Sequence, residues 1–258
     1  IDWEERQKEL VELLDKHRRN DGRYDIVVPS SGGKDSAYVA HVLKYKFNMN
    51  PLTVTWAPHI YTDIGRANFH GLVDSGLDNI LGTANGPTHR RLTRLGTIEM
   101  GEPLQPFRSG QVWFPVQIAA QMGISLIMDG ENGDAEYGGD PKSENKAGFT
   151  VQDANRYWFS DRPLDYWLEH GFAKKDLQLY MPPPNKLLEK IEINRHFFSY
   201  YVDWRPQKNF YYAAENTGFK VNPAGRSEGT FSKYASLDDK IDPFHFYFML
   251  LKFGIARA

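Results

Sequence analysis

The 258-residue chain contains no cysteine. That excludes disulfides, a thiol nucleophile and cysteine-ligated zinc within it, and by itself says little about compartment. Long apolar runs are missing too, since none approaches the ~18 residues of a membrane-spanning helix. With no signal-peptide pattern at the start, a cytoplasmic chain with no membrane partner is expected. Excess charge of either sign is also lacking. The net charge of −2 and pI of about 6.5 make nucleic acid an unlikely partner overall, leaving only a local basic groove open. The 8 histidines show no HxH or HExxH pairing, which speaks against a histidine metal centre. Repeats and low-complexity tracts are absent. What remains, 41% hydrophobic and 25% charged, is an ordinary globular composition, long enough for one large or two modest domains. The chain opens on Ile1 and closes on FGIARA, so flanking segments of a longer protein are expected.

Residues 2–19 place Trp3, Leu10, Leu13 and Leu14 at helical spacing among charges, an amphipathic helix. YDIVVPS at 24–30 reads as a buried strand, AYVAHVLKYKF at 37–47 as a helix, and PLTVTWAP at 51–58 as a second strand. A helix over 62–75, a strand at DNILGTA, a helical stretch over 87–122 and a strand at ISLIMDGENG follow. This alternation predicts an α/β layer with a mostly parallel sheet, whose ligands sit beyond the carboxyl ends of the strands. Both polar turns of interest, 31–36 and 129–139, fall at that edge. After about residue 150 the chain becomes dense in aromatics and is broken by MPPPN. The division expected is an N-terminal helix over 1–19, an α/β domain over 20–150 and a mainly helical region over 151–258. FHFYFMLLKFGIA at 244–256 reads as a buried helix or, lacking a partner segment, a subunit interface, so a homo-oligomer is a possible state.

A strand, a Ser/Gly-rich turn and a helix in succession make an anion site. Gly32 and Gly33 let backbone N–H groups point inward, and the helix start adds its partial positive charge. Ser30, Ser31 and Ser36 supply hydroxyls, and Lys34 a full charge. The segment is neither a Walker A loop nor GxGxxG. SGGKDS at 31–36 instead resembles the PP-loop signature SGGxDS of adenylating enzymes such as asparagine synthetases, GMP synthetases and tRNA-thiolating enzymes. The resemblance implies a Rossmann-like PP-loop fold and cleavage of ATP between the α and β phosphates, the loop gripping pyrophosphate. The bland alternative is a glycine turn. Asp35 suits either Mg²⁺ or the helix start. Trp56 lies where the resemblance would seat adenine, and a core aromatic is the other reading.

VTWAPHIYTDIGRANF at 54–69, DGENGDAEYGG at 129–139 and GRSEGTFSKYASLDDKIDPFHFY at 225–247 are together similar to the N-acetyl sugar amidotransferases of bacterial O-antigen and pseudaminic- or legionaminic-type sugar pathways. That resemblance implies ATP and Mg²⁺ as cofactors. The implied partners are a nucleotide-linked N-acetyl sugar and ammonia from a separate glutaminase subunit with a cyclase-like companion. The implied reaction adenylates the acetamido carbonyl, and ammonia then replaces the oxygen to give an acetamidino sugar. The N-terminal cysteine cluster that members commonly carry is absent, so no zinc site is carried over.

Asp129, Glu131, Asp134 and Glu136 crowd one strand end, where they could bind Mg²⁺, orient the substrate amide, accept protons from ammonia or form a solvated acidic turn. Within that turn Gly130 is assigned to the nucleotide, and Glu131 and Asn132 to direct substrate contact. Lys233 resembles the late-chain lysine that PP-loop synthetases set against the phosphates, and a surface charge run is its alternative. His59 and Tyr61 follow the second strand and could reach the sugar, although a lone histidine is more often structural. Two rivals stand beside this reading: a tRNA-modifying PP-loop enzyme and a non-catalytic ATP-binding scaffold of a glycan complex.

Overall fold

Short β-branched runs alternating with amphipathic helices build an α/β fold. The computed structural model describes residues 1–131, 145–149, 164–188, 190–227 and 229–254. In chain order the elements are α1 (Trp3–His17), β1 (Ile26–Pro29), α2 (Lys34–Tyr45), β2 (Pro51–Trp56), α3 (Asp63–Asp74), β3 (Asp78–Gly82), α4 (Gly86–Met100) and α5 (Gln105–Met122). They continue with β4 (Leu126–Asp129), β5 (Gly148–Phe149), α6 (Leu164–Glu169), α7 (Asn185–Leu188), β6 (Asn194–Phe197), α8 (Pro206–Asn216) and α9 (Asp242–Phe253). The strands form one six-stranded sheet in the order β3-β2-β1-β4-β6-β5. Every pair is parallel except β5 with β6.

The sheet is covered on both faces, and strand alternation decides which residue goes where. Ile26, Val28, Leu126 and Met128 face the layer of α1, α2 and α8. Val27 and Ile127, one residue out of phase, face α5 with Leu52 and Val54. All of β2 is buried, including Thr53 and Thr55, whose hydroxyls are satisfied. Thr53 Oγ1 donates to the Asp78 carbonyl at 2.6 Å, Thr55 Oγ1 donates to the Ser30 carbonyl, and Asn79 Nδ2 donates to both hydroxyls. Threonine therefore keeps its β-branched fit without an unpaired hydroxyl. The chain moves outward from β1 to β2 and β3, then returns to place β4 on the other side of β1. Such a reversal leaves a crevice at the carboxyl ends of the two diverging strands.

Residues on both sides of position 150 contribute strands to this one sheet. The open side of β4 has unpaired backbone groups, and Asn194–Phe197 fills it as a parallel neighbour, from Leu126↔Asn194 to Asp129↔Phe197. Asn194–Phe197 thus joins the sheet from beyond residue 150, while the other regular elements described there are helical. One expectation is corrected: the helix near 244–256 is not buried. Its His245 side is, but Phe244, Tyr247, Leu250, Leu251 and Phe253 are exposed, because α9 lies against the chain over Gly101 along one side only.

β4 and β6 are also tied by an ion pair. Arg195 donates through Nε and Nη2 to the two Asp129 carboxylate oxygens, at 2.6 and 2.9 Å, and through Nη1 to the Val112 carbonyl at 2.9 Å. The guanidinium also lies 4.9 Å from the Phe149 ring. Removing one member strands the other. Arg195→Ala is expected to destabilise the protein by about 2 kcal/mol, discounted because Asp129 keeps some solvent. An unchanged urea midpoint would show the pair to be dispensable.

Candidate active site

The phosphate-loop candidate grows directly out of β1. Ser30 N donates to the Val54 carbonyl at 2.9 Å, the last backbone hydrogen bond to β2, and the chain then turns into α2. Gly32 makes that turn at φ +90°, and a Cβ there would lie 2.7 Å from the Phe69 Cα and N. Gly33 caps α2 in an extended conformation with no side-chain hydrogen bond, so no side chain competes for the first-turn N–H groups. Ser30 Oγ donates to Ser36 Oγ at 2.9 Å, and Ser36 Oγ to the Gly33 carbonyl at 3.2 Å, which closes the loop into a cup. The loop therefore presents oriented backbone donors and hydroxyls at a helix start, an arrangement suited to phosphate.

Lys34 and Asp35 are held by elements far along the chain. The Lys34 ammonium pairs with Asp35 Oδ2, and their side chains are only 8% and 22% exposed. Asn209 of α8, itself buried, donates Nδ2 to Asp35 Oδ1 at 3.0 Å. The Tyr234 ring lies 5.4 Å from the ammonium, stacks on Phe210, and donates its hydroxyl to Gln207 at 3.0 Å. Gly130, at the end of β4, faces Asp35 and Trp204, where a Cβ would meet the indole at 3.4 Å and the Asp35 Cβ at 3.7 Å. The crevice between β1 and β4 thus brings Lys34, Asp35, Gly130, Trp204 and Asn209 together. The set fits Mg²⁺ bound jointly with a polyphosphate. Among the described residues no three His, Cys, Asp or Glu side chains gather to hold a metal by themselves. Asp35 would supply one oxygen and the phosphates others, as magnesium prefers.

A second polar cluster lies past the end of β2. Asp239 accepts from His59 N at 2.6 Å, Ile60 N at 3.1 Å and Ile241 N at 3.1 Å, and sits 2.9 Å from His59 Nδ1. Burial pushes the Asp239 carboxyl up, but the His59 ring and the backbone donors outweigh it and hold it below the usual range. The neighbouring Asp238 engages the Ser31 hydroxyl, while burial raises its carboxyl. The His59 ring packs at a tilt against His89 and Phe107, with centroids 4.5 and 5.6 Å away, and His89 Nδ1 meets the Tyr180 hydroxyl at 2.8 Å.

His89 is pushed down to about 4, first by burial and then by His59. A depressed histidine takes its proton in the unfolded chain first, so its stability contribution is full above about pH 6.5 and lost as pH falls toward 4. Between pH 7.5 and 5 the expected loss is about 2 kcal/mol, absent in His89→Gln. Equal pH slopes of the urea midpoint in the two proteins would refute this.

The structure brings Ser30, Ser31, Gly32, Gly33, Lys34, Asp35, Ser36 and Gly130 to one edge. Glu131 follows Gly130 half-buried. Asn132, Asp134 and Glu136 lie outside the described residues. Asp129 is committed to Arg195. Lys233 is exposed, one residue before the Tyr234 ring that touches the loop lysine. Trp56 is buried against Phe114 and Tyr180, and Gly110 of α5 sits directly on its indole. It occupies the core and not the mouth of the loop. Asn209, the approach of Tyr234 to Lys34 and the Asp239–His59 pairing escaped sequence reading, because only the fold brings residues such as those 174 and 180 positions apart into contact.

No protein-family model matches the chain. An uncharacterized protein of Methanocaldococcus jannaschii is 40% identical over 52 residues, which covers 20% of this chain and 19% of that protein. Among solved structures, the chain is similar to a predicted subunit of tRNA methyltransferase from M. jannaschii, at 15% identity, 75% of each chain and a TM-score of 0.35. It is also similar to NMN synthetase from Francisella tularensis, at 15% identity, 74% of this chain, 94% of that chain and a TM-score of 0.36. NH3-dependent NAD synthetase from Campylobacter jejuni in complex with nitrate is similar at 12% identity, 84% of this chain, 96% of that chain and a TM-score of 0.42. At these values the question of activity rests on the site itself. No helix among the described residues is long and apolar enough to cross a membrane.

Proposed function

We propose that the protein is an ATP-dependent, AMP-forming amidotransferase acting on the acetamido group of a nucleotide-linked N-acetyl sugar. The carrying observation is the cup at 30–36 opening on a crevice whose Lys34, Asp35 and Asn209 can answer a polyphosphate and its cation. An amide carbonyl resists attack because its nitrogen donates into it. Transfer of AMP to the oxygen makes that oxygen a leaving group, after which ammonia attacks carbon and AMP departs. Mg²⁺, when bound, neutralises charge on the phosphates. The protein's own tasks follow from its geometry. First-turn N–H groups of α2 and the Ser36 hydroxyl hold the departing pyrophosphate, and Lys34 leaves Asp35 to meet developing negative charge. Asn209 keeps one Asp35 oxygen fixed while the other faces the cation.

The resemblance at 54–69, 129–139 and 225–247 supports the sugar and the use of ammonia from a glutaminase subunit. The structure sets the first and third of these segments side by side through Tyr61↔Asp239. The test is pyrophosphate release from ATP with ammonium chloride and a panel of UDP- and CMP-linked diacetamido sugars. Stimulation by one sugar, with AMP and a product about one mass unit lighter as oxygen becomes NH, establishes the reaction. Turnover on tRNA and on no sugar would replace it.

A further inference from the structure

We propose that His59, oriented by Asp239, is the group that takes the proton from the attacking ammonia. The inference rests on the amidation reading above. Asp239 Oδ2 is 2.9 Å from His59 Nδ1, and its other contacts are all with N–H donors. A carboxylate below its usual range can only accept, so Nδ1 carries the hydrogen and Nε2 presents a lone pair. That Nε2 is buried, with no hydrogen-bond partner among the described residues, and the side chain is only 6% exposed. A buried acceptor without a donor is costly and marks a place where a ligand can complete the bond.

The His89 and Phe107 rings flank the imidazole, with centroids 4.5 and 5.6 Å away, and on the amidation reading the reactant whose proton must be taken is ammonia, a molecule the size of a water. Location ties this group to the nucleotide. Helix α3 joins them: Gly32 of the phosphate loop packs on its Phe69, and one turn earlier its Gly65 packs on Asp238, the neighbour of Asp239, which holds His59. Gly65 at the start of α3 permits this approach, since a Cβ there would lie 2.4 Å from the Asp238 Cα. One turn of backbone thus couples the adenylating loop to the base.

The step balances as follows. The ammonia lone pair forms the C–N bond at the adenylated carbon, and the C=N π pair moves to the substrate nitrogen. The attacking nitrogen gives one proton to His59 Nε2. The pair on the substrate nitrogen then returns to form the C=N bond as the C–O bond to AMP breaks, and AMP leaves with the C–O bonding pair. Asp239 holds the resulting imidazolium until the proton is released.

Two measurements test this. In His59→Asn the side-chain amide keeps a donor toward Asp239 and has nothing at the Nε2 position. The readout is amidine formed per pyrophosphate released, and it is expected to fall at least ~10-fold, water taking the adenylated substrate instead. If both rates fall together with the ratio unchanged, His59 is only a brace for the loop and the proposal is lost. The second measurement needs no turnover. ¹⁵N-histidine NMR of the wild-type protein at pH 7.5, assigned through the same variant, is expected to show Nδ1 protonated and Nε2 bare. Ammonium chloride, against matched sodium chloride, should then shift Nε2. A proton resident on Nε2, or no response to ammonium, overturns the assignment. Wild-type protein that releases no pyrophosphate on any sugar defeats the amidation reading instead, and the NMR result still decides the role of Nε2.

Discussion

Lys34→Ala is expected to lower pyrophosphate release from ATP by about 100- to 1,000-fold while the fold survives. The ammonium is the one full positive charge built into the cup, and in the structure it is kept by Asp35 under the Tyr234 ring. Its removal takes away charge-assisted contacts to phosphate that strengthen as the bridging oxygen departs, so the loss falls on the rate more than on ATP affinity. Asp35 is not left stranded, because Asn209 still donates to it. The melting temperature should therefore change little. Lys34→Arg is a useful companion, since a planar fork cannot replace a point charge in so small a space. Pyrophosphate release in the alanine variant equal to wild type would remove the loop from the mechanism.

Gly32→Ala is expected to cost about 4 kcal/mol of stability and, with it, nucleotide binding. Two causes add. At φ +90° any side chain strains its own backbone, and the new Cβ would lie 2.7 Å from the Phe69 Cα and N. Those atoms belong to the backbone of α3 and cannot swing away. For a chain of this length the drop in melting temperature is roughly 10 °C. Gly33→Ala is the control. Its backbone sits at φ −64°, and its nearest Cβ neighbour would be Ser31 Oγ at 3.5 Å, an ordinary contact. That variant should melt within roughly 2 °C of wild type. Equal losses at the two glycines would mean that the loop tolerates neither for some reason other than this geometry.

The sequence made the two glycines look alike, both read as freeing backbone N–H groups for an anion. The structure separates them. Gly32 is required by helix α3 crossing behind the loop, and Gly33 by nothing stronger than access to the helix start. Trp56 shows the same limit. An aromatic at a strand's end reads equally well as base platform or core, and only the placement of Gly110 on its indole shows it sealed inside. Among the aromatics beyond 150, Phe198 and Tyr201 are buried whereas Tyr211 and Phe231 are exposed, a difference that composition does not reveal. The exposed apolar side of α9 carries no period that would reveal it, because its sequence is hydrophobic nearly all round.

By itself the sequence determined the alternating strands and helices, the parallel sheet and the position of the phosphate-loop candidate. These rest on local periodicity, β-branching and glycine chemistry, all of which act within a dozen residues. Only the tertiary structure decided that Asn194–Phe197 completes the sheet beside β4, that Asn209 and Tyr234 close over Lys34 and Asp35, and that Asp239 meets His59. Those pairings depend on which unpaired strand edge and which buried charge lacked a partner once the layers had formed. A linear pattern does not carry that information, because the partner is chosen by proximity in the folded core and not by spacing along the chain.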